Sequence, residues 1–137
     1  MNISQAAAAT GLTSKTIRFY EQQGVIPPAA RAANGYRIYT EQQLEVLRFI
    51  KRSRDMGFSL EESRALFQLS QDPSRTSASV KQKAEQQIQR IDQQIESLQQ
   101  MRAMLETAVS ACRGDQQADC PILDQLNGVA DEGERLP

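Results

Sequence analysis

The sequence predicts a mainly α fold: a small helix-turn-helix unit with a hairpin wing, then one long self-pairing helix, then a terminal loop bounded by cysteines. Three observations carry that expectation. Two short helix-forming stretches meet at Gly11 and are followed by an Asn34-Gly35 turn among strand-forming residues. From Ser77 to Ala111 the chain contains neither proline nor glycine, and its apolar residues recur at spacings of three and four. The only two cysteines, Cys112 and Cys120, stand eight positions apart just after that stretch, in a chain without histidine.

Ser4 can cap a first helix running through Thr10, and Gly11 breaks it. Thr13 or Ser14 caps a second helix that carries Ile17, Arg18, Phe19 and Tyr20 to Gly24. After Pro27-Pro28, the segment Ala29 to Tyr39 reads as a small hairpin, or wing, turning at Asn34-Gly35. Thr40-Glu41-Gln42-Gln43 matches a capping box that opens a third helix with Leu44, Leu47, Phe49, Ile50 and Met56 on its apolar face, closed by Gly57. Ser59-Leu60-Glu61-Glu62 repeats the pattern, and the fourth helix passes Leu66 and Leu69 before Asp72-Pro73 ends it.

The stripe from Val80 to Val109 lies on a helix about 50 Å long, more than the amino-terminal unit can cover. It needs a partner, which predicts a coiled-coil dimer. Paired antiparallel with contacting positions summing to 189, the stripe matches itself: Ile91 with Leu98, Ile88 with Met101, Ala84 with Leu105, Val80 with Val109. Ser77 then faces the partner's Cys112. Registers shifted by seven and a parallel pairing also match, and a helix folded back within one chain is the alternative to pairing. Pro121 to Leu126 reads as one helical turn. The expected organisation is 1–72, the helix-turn-helix unit with connecting helices; 73–111, the dimerisation helix; 112–126, the cysteine loop and short helix; and 127–137, a flexible acidic tail.

The net charge of −1 hides a division, because residues 1–60 carry eight Lys/Arg against four Asp/Glu while 61–137 carry eight against thirteen. A basic amino-terminal half suggests a nucleic-acid surface confined to one end. At 137 residues the chain holds one small core plus an extended element. No basic segment leads into an apolar core at the start, and no apolar run reaches membrane-spanning length, so a cytoplasmic protein with no membrane partner is expected. In that reducing compartment the cysteines are thiols, metal ligands or a redox pair rather than a structural disulfide. The lack of histidine, of a Gly-rich phosphate loop and of a clustered carboxylate pair argues against an enzyme.

Two thiolates form a soft donor set with few ligands. Zn(II) favours four, and here would need Asp115, Asp119 or another subunit's thiolates. A d10 monovalent ion, Cu(I), Ag(I) or Au(I), accepts linear coordination by two sulfurs. Two thiolates keep one negative charge around a monovalent ion and none around a divalent one. If the partner's Ser77 sits at the amino end of its long helix, the positive potential there favours the residual anion; otherwise Ser77 is a plain helix cap.

Taken together, Ile17-Arg18-Phe19-Tyr20-Glu21, the Arg31 to Tyr39 segment with Gly35-Tyr36-Arg37, the Asp55-Met56-Gly57-Phe58 junction and the long helix resemble the MerR family of dimeric transcription regulators, over residues 1 to about 126. The Cys112 to Cys120 loop followed by Pro121-Ile122 is similar to its copper-responsive branch. The resemblance implies a winged helix-turn-helix DNA-binding domain, a long antiparallel coiled-coil dimerisation helix and a C-terminal metal-binding loop. It implies DNA contacts at Lys15, Arg18, Tyr20, Tyr36 and Arg37, together with Arg31 and Arg54. Lys15 and Arg18 share one helix face, suited to groove edges or phosphates, while Arg31, Tyr36 and Arg37 place donors on the wing, suited to the backbone.

Divalent-responsive members typically carry cysteine where this chain has Ser77, so the serine resembles the monovalent-sensing type, with Cu(I), or Ag(I) or Au(I), as effector at Cys112 and Cys120. Ala118 resembles the copper type, whereas Arg113 matches neither the copper nor the gold pattern, and a gold-preferring sensor stays open. The implied activity is activation of a copper export or detoxification gene. The resemblance further implies that a homodimer sits on a promoter whose spacer is too long for RNA polymerase, and that metal changes the DNA shape rather than the occupancy. Two other readings use the same residues: a DNA-binding thiol/disulfide switch, and a metal buffer without DNA function.

Overall fold

In the computed structural model, which describes residues 1–128, Asn2 rather than Ser4 caps the first helix, α1 (Ile3–Thr10). The Asn2 side chain accepts from the Gln5 N–H at 2.8 Å while the Gln5 side chain accepts from the Asn2 N–H at 2.9 Å. That reciprocal box leaves Ser4 inside the first turn. Thr13 caps α2 (Ser14–Gln22), its hydroxyl accepting from the Thr16 N–H at 3.1 Å. The wing follows as β1 (Ala30–Arg31) and β2 (Arg37–Ile38), antiparallel with Ala30 opposite Ile38 and Arg31 opposite Arg37. Its turn forms where expected: the Asn34 side chain accepts from the Tyr36 N–H at 3.1 Å, and Gly35 adopts φ +84°.

Capping boxes at Thr40 and Ser59 start α3 (Glu41–Asp55) and α4 (Leu60–Ser70). α3 buries Leu44, Leu47 and Ile50 against Ala6 of α1, Ile17 and Tyr20 of α2, and Ile26 and Tyr39 from either side of the wing. Met56 departs from the expected apolar face: α3 stops at Asp55, Met56 is its C-cap, and the residue is 65% exposed. Beyond α4, the Ser74 hydroxyl and N–H donate to the Asp72 carboxylate at 2.7 and 2.8 Å, which holds that carboxyl below its usual range and fixes the turn.

The long helix, α5 (Ser77–Ala111), has the predicted bounds and 35 residues. Its capping contact comes from Thr76, whose hydroxyl accepts from the Ser79 N–H at 3.2 Å; Ser77 is the first helical residue and is exposed. The chain clusters into two compact units that divide inside α5, one ending at Gln87 and the other beginning at Ile88. Within the first unit, buried Gln87 donates to the Met56 carbonyl at 2.9 Å, directly over Gly57 at φ +89°. A Cβ at Gly57 would lie 2.5 Å from the Gln87 amide nitrogen. Gly57→Ala therefore combines left-handed strain with loss of a buried hydrogen bond, and is expected to lower stability by on the order of 2 kcal/mol in chemical denaturation.

In the second unit Ile88, Ile95, Leu98, Met101, Leu105 and Val109 of α5 are exposed in the single chain, while Ile91 is half-buried and Ala108 is buried. A helix of six residues, α6 (Pro121–Leu126), starts with proline in its first turn, where the missing N–H costs nothing. From residue 129 the expected acidic tail lies outside the described residues. No helix among the described residues is long and apolar enough to cross a membrane.

Candidate nucleic-acid interface and thiolate site

α2 turns Ile17 and Tyr20 into the core, and the helical period then leaves Lys15, Arg18 and Phe19 exposed. Among the described residues, no hydrogen bond or ion pair occupies Lys15 or Arg18. Tyr36, 70% exposed, stands beside the wing turn. Arg37, one residue on, places its Nε 3.5 Å from the carboxylate of Glu21 in α2. The other oxygen of Glu21 accepts from the Tyr39 hydroxyl. Burial first, then that hydrogen bond and the Glu21 charge, push the Tyr39 hydroxyl far above its ordinary pKa, while Arg37 and Arg18 pull the other way. The structure thus brings Arg18 of the helix and Arg37 of the wing within electrostatic reach of one buried ring.

The remaining expected contacts have local duties. Tyr20, 7% exposed, is a core residue, so its ring serves packing. Arg31 donates to the Gly35 carbonyl at 2.9 Å, bracing the wing turn. Arg54 donates to the Phe58 carbonyl at 3.1 Å, holding the α3–α4 junction. Sequence reasoning did not single out Glu21 and Tyr39 as site residues, nor Arg64, whose guanidinium donates to the carbonyls of Gln23 and Gly24 at 3.4 and 3.3 Å. No spacing rule connects positions 18 or more residues apart; only the packing of α2, wing and α4 does.

Cys112 follows the last residue of α5 and its N–H reaches the carbonyls of Ala108 and Val109, both at 3.1 Å. Cys120 is the N-cap of α6, its carbonyl accepting from the Asp124 N–H at 3.0 Å. Between them the loop is polar: Arg113 pairs with Asp115 at 3.3 Å, and Asp115 accepts from the Gln117 N–H at 2.9 Å. Within 112–120, only the two cysteines are withdrawn from solvent; both are half-buried free thiols, followed by half-buried Pro121 and Ile122. Among the described residues no group of three or more His, Cys, Asp or Glu side chains is placed to hold a metal ion. Within one chain the thiolate donors number two, which suits an ion content with two soft ligands.

Ser77 lines an open depression with Pro73, Arg75, Val80 and Lys81. Arg75 and Lys81 make this depression at the amino end of α5 basic, although the Arg75 guanidinium donates to the carbonyls of Ser70 and Asp72 at 3.1 and 3.2 Å.

A three-sided unit of α1, α2 and α3 with a two-stranded wing and outward cations defines a DNA-binding regulator of the winged helix-turn-helix class. The chain belongs to the MerR family: residues 1–70 match the family described as "MerR HTH family regulatory protein", and residues 44–108 match "MerR, DNA binding". It is similar to the HTH-type transcriptional regulator CueR of Escherichia coli O6:H1, with 50% identity over 128 residues that cover 93% of this chain and 95% of that protein. CueR of Salmonella typhimurium is 44% identical over 137 residues, covering 100% of this chain and 99% of that one. Among solved structures, PbrR691 from Ralstonia metallidurans CH34 in complex with lead(II) has a TM-score of 0.72 at 28% identity, covering 92% of this chain and 98% of that chain. The protein is a transcription regulator and not an enzyme.

Proposed function

We propose that the protein is a cytoplasmic activator that binds promoter DNA as a homodimer and responds to Cu(I), with Ag(I) or Au(I) as chemical equivalents, through Cys112 and Cys120. The observation that carries the reading is the pair of half-buried free cysteines bounding an otherwise exposed loop, with no group of three or more candidate ligands among the described residues. Cys112 and Cys120 would hold the ion, which would supply a soft acceptor shared by the two thiolates. The paired sulfurs then fix the Cys112 to Cys120 loop at both ends, on α5 and α6.

Antiparallel pairing of the exposed α5 stripe supports a site shared between chains, in which the depression around Ser77 receives the partner's cysteine loop. Arg75, Lys81 and the amino end of α5 favour an anionic occupant, which two thiolates with a monovalent ion provide. Ser77 adds no third thiolate, and so disfavours divalent ions. Lys15, Arg18, Tyr36 and Arg37 hold the promoter, with Arg31 and Arg54 contributing mainly through the backbone bonds they make. Ordering the loop shifts the dimer between two shapes on DNA, and the altered spacer is what RNA polymerase reads. The expected target is a copper export or detoxification gene. The functional division is 1–72 for DNA, 73–111 for pairing and 112–126 for sensing.

The test is transcription from a promoter template with Cu(I), Ag(I), Au(I), Zn(II) and Hg(II), under reducing conditions and with a Cu(I) chelator as control. Activation by the monovalent ions and its loss on chelation are expected. Activation by Zn(II) would remove the donor-set argument, and activation that ignores the chelator would make the cysteines a redox switch.

A further inference from the structure

We propose that Glu21 is a positioning residue for DNA binding, holding the wing guanidinium of Arg37 in place against α2. This rests on the assignment of Arg37 as a phosphate contact. A carboxylate on the side of α2 that carries Arg18 is unexpected on simple charge grounds, since it repels the polyanion the face is built to meet. Yet its side chain is only 9% exposed, and a carboxylate so enclosed persists only when its oxygens are engaged. Both are: one accepts from the Tyr39 hydroxyl, the other faces Arg37 Nε at 3.5 Å.

The arrangement fixes the arginine from the core outward. Tyr39 is buried and exchanges backbone bonds with Met1, at 2.7 Å from its N–H and 3.2 Å to its carbonyl, so its hydroxyl is a stationary donor. Glu21 is oriented by that donor, and in turn faces Arg37 at Nε. The two terminal nitrogens of the guanidinium keep their N–H groups for a phosphate. The wing needs such a tie, because a ladder of two residue pairs does not hold its own position. Glu21 links it to α2, so both DNA-facing elements move as one body.

The two explanations of Glu21 differ in sign. If it acts only by its charge, Glu21→Gln removes repulsion and tightens operator binding. If it positions Arg37, the same substitution keeps an oxygen for Tyr39 but loses the ion pair, and binding weakens roughly tenfold, on operator and unrelated DNA alike. Fluorescence anisotropy of the full-length protein at several salt concentrations should show the slope of log K against log salt falling by about one per chain that loses its phosphate contact. Glu21→Gln combined with Arg37→Ala should be no worse than Arg37→Ala alone.

Tyr39→Phe, which releases Glu21 from the core side, should weaken binding in the same direction and by less. It decides the matter if Glu21→Gln shows a disrupted thermal transition. Tighter binding or an undiminished salt slope in the variant that folds overturns the proposal. An unchanged slope for Arg37→Ala is a different result, and would remove the phosphate assignment of Arg37 itself.

Discussion

Replacing either Cys112 or Cys120 by Ser is expected to abolish metal-dependent activation while operator occupancy stays unchanged. Each thiolate supplies half of the available donor set, and among the described residues no third group stands ready to replace one. Disturbing the outer partners of a metal ligand already costs about 10–100-fold in affinity, and removing a ligand from a two-donor site exceeds that. The exchange of sulfur for a hydroxyl oxygen also changes a soft donor into a hard one, which a coinage ion disfavours. Competition against a Cu(I) chelator of known affinity measures the loss directly, and anisotropy on the operator checks that the DNA unit is intact. Retained affinity in either single variant would place the metal elsewhere.

A comparable effect is expected at the other end of the mechanism, from Leu98→Glu. Leu98 is 61% exposed in the single chain, in the middle of the unpartnered stripe of α5. In the antiparallel register it meets the residue at position 91 of the other chain, so one substitution enters the seam twice. Burying a leucine contributes about 1.5–3 kcal/mol, so two losses weaken dimerisation by roughly 3–6 kcal/mol before the burial of two carboxylates is counted. Dissociation should become stronger by on the order of a thousandfold or more, visible by sedimentation, and operator binding should collapse because the two half-sites are no longer read together. A variant that stays dimeric at the same concentration would show that the stripe packs on something other than a second copy. The register has its own check: with Cys112→Ser and Cys120→Ser in place, Ile91→Cys together with Leu98→Cys should give mixed 91-to-98 crosslinks, and a parallel pair would give 91-to-91.

Much of the architecture was readable because it is locally encoded. α5 begins and ends where expected, since Pro73 and Gly114 lie outside an uninterrupted apolar period. The boxes at Thr40 and Ser59 and the turn at Asn34-Gly35 rest on residues within three positions of one another. Where several local signals compete, packing decides. Asn2 and Ser4 both suit a cap, but only Asn2 has a glutamine three residues on to close the box. Tyr20 stands three residues after Ile17 on the inward face, a spacing that outweighs its hydroxyl. The link from Glu21 to Tyr39 and Arg37 had no such signal, because it is made by folding the wing back over α2. The cysteines were conspicuous by scarcity alone, whereas their withdrawal from solvent is a property of the folded loop.

The start of α5 divides capping from exposure between two neighbouring residues. The hydroxyl that begins the helix belongs to Thr76, so its neighbour Ser77 has no folding task to lose. For most serine codons a single nucleotide change gives a cysteine codon. At this position it would add a soft sulfur to the exposed first residue of α5 while the capping hydroxyl of Thr76 stays in place.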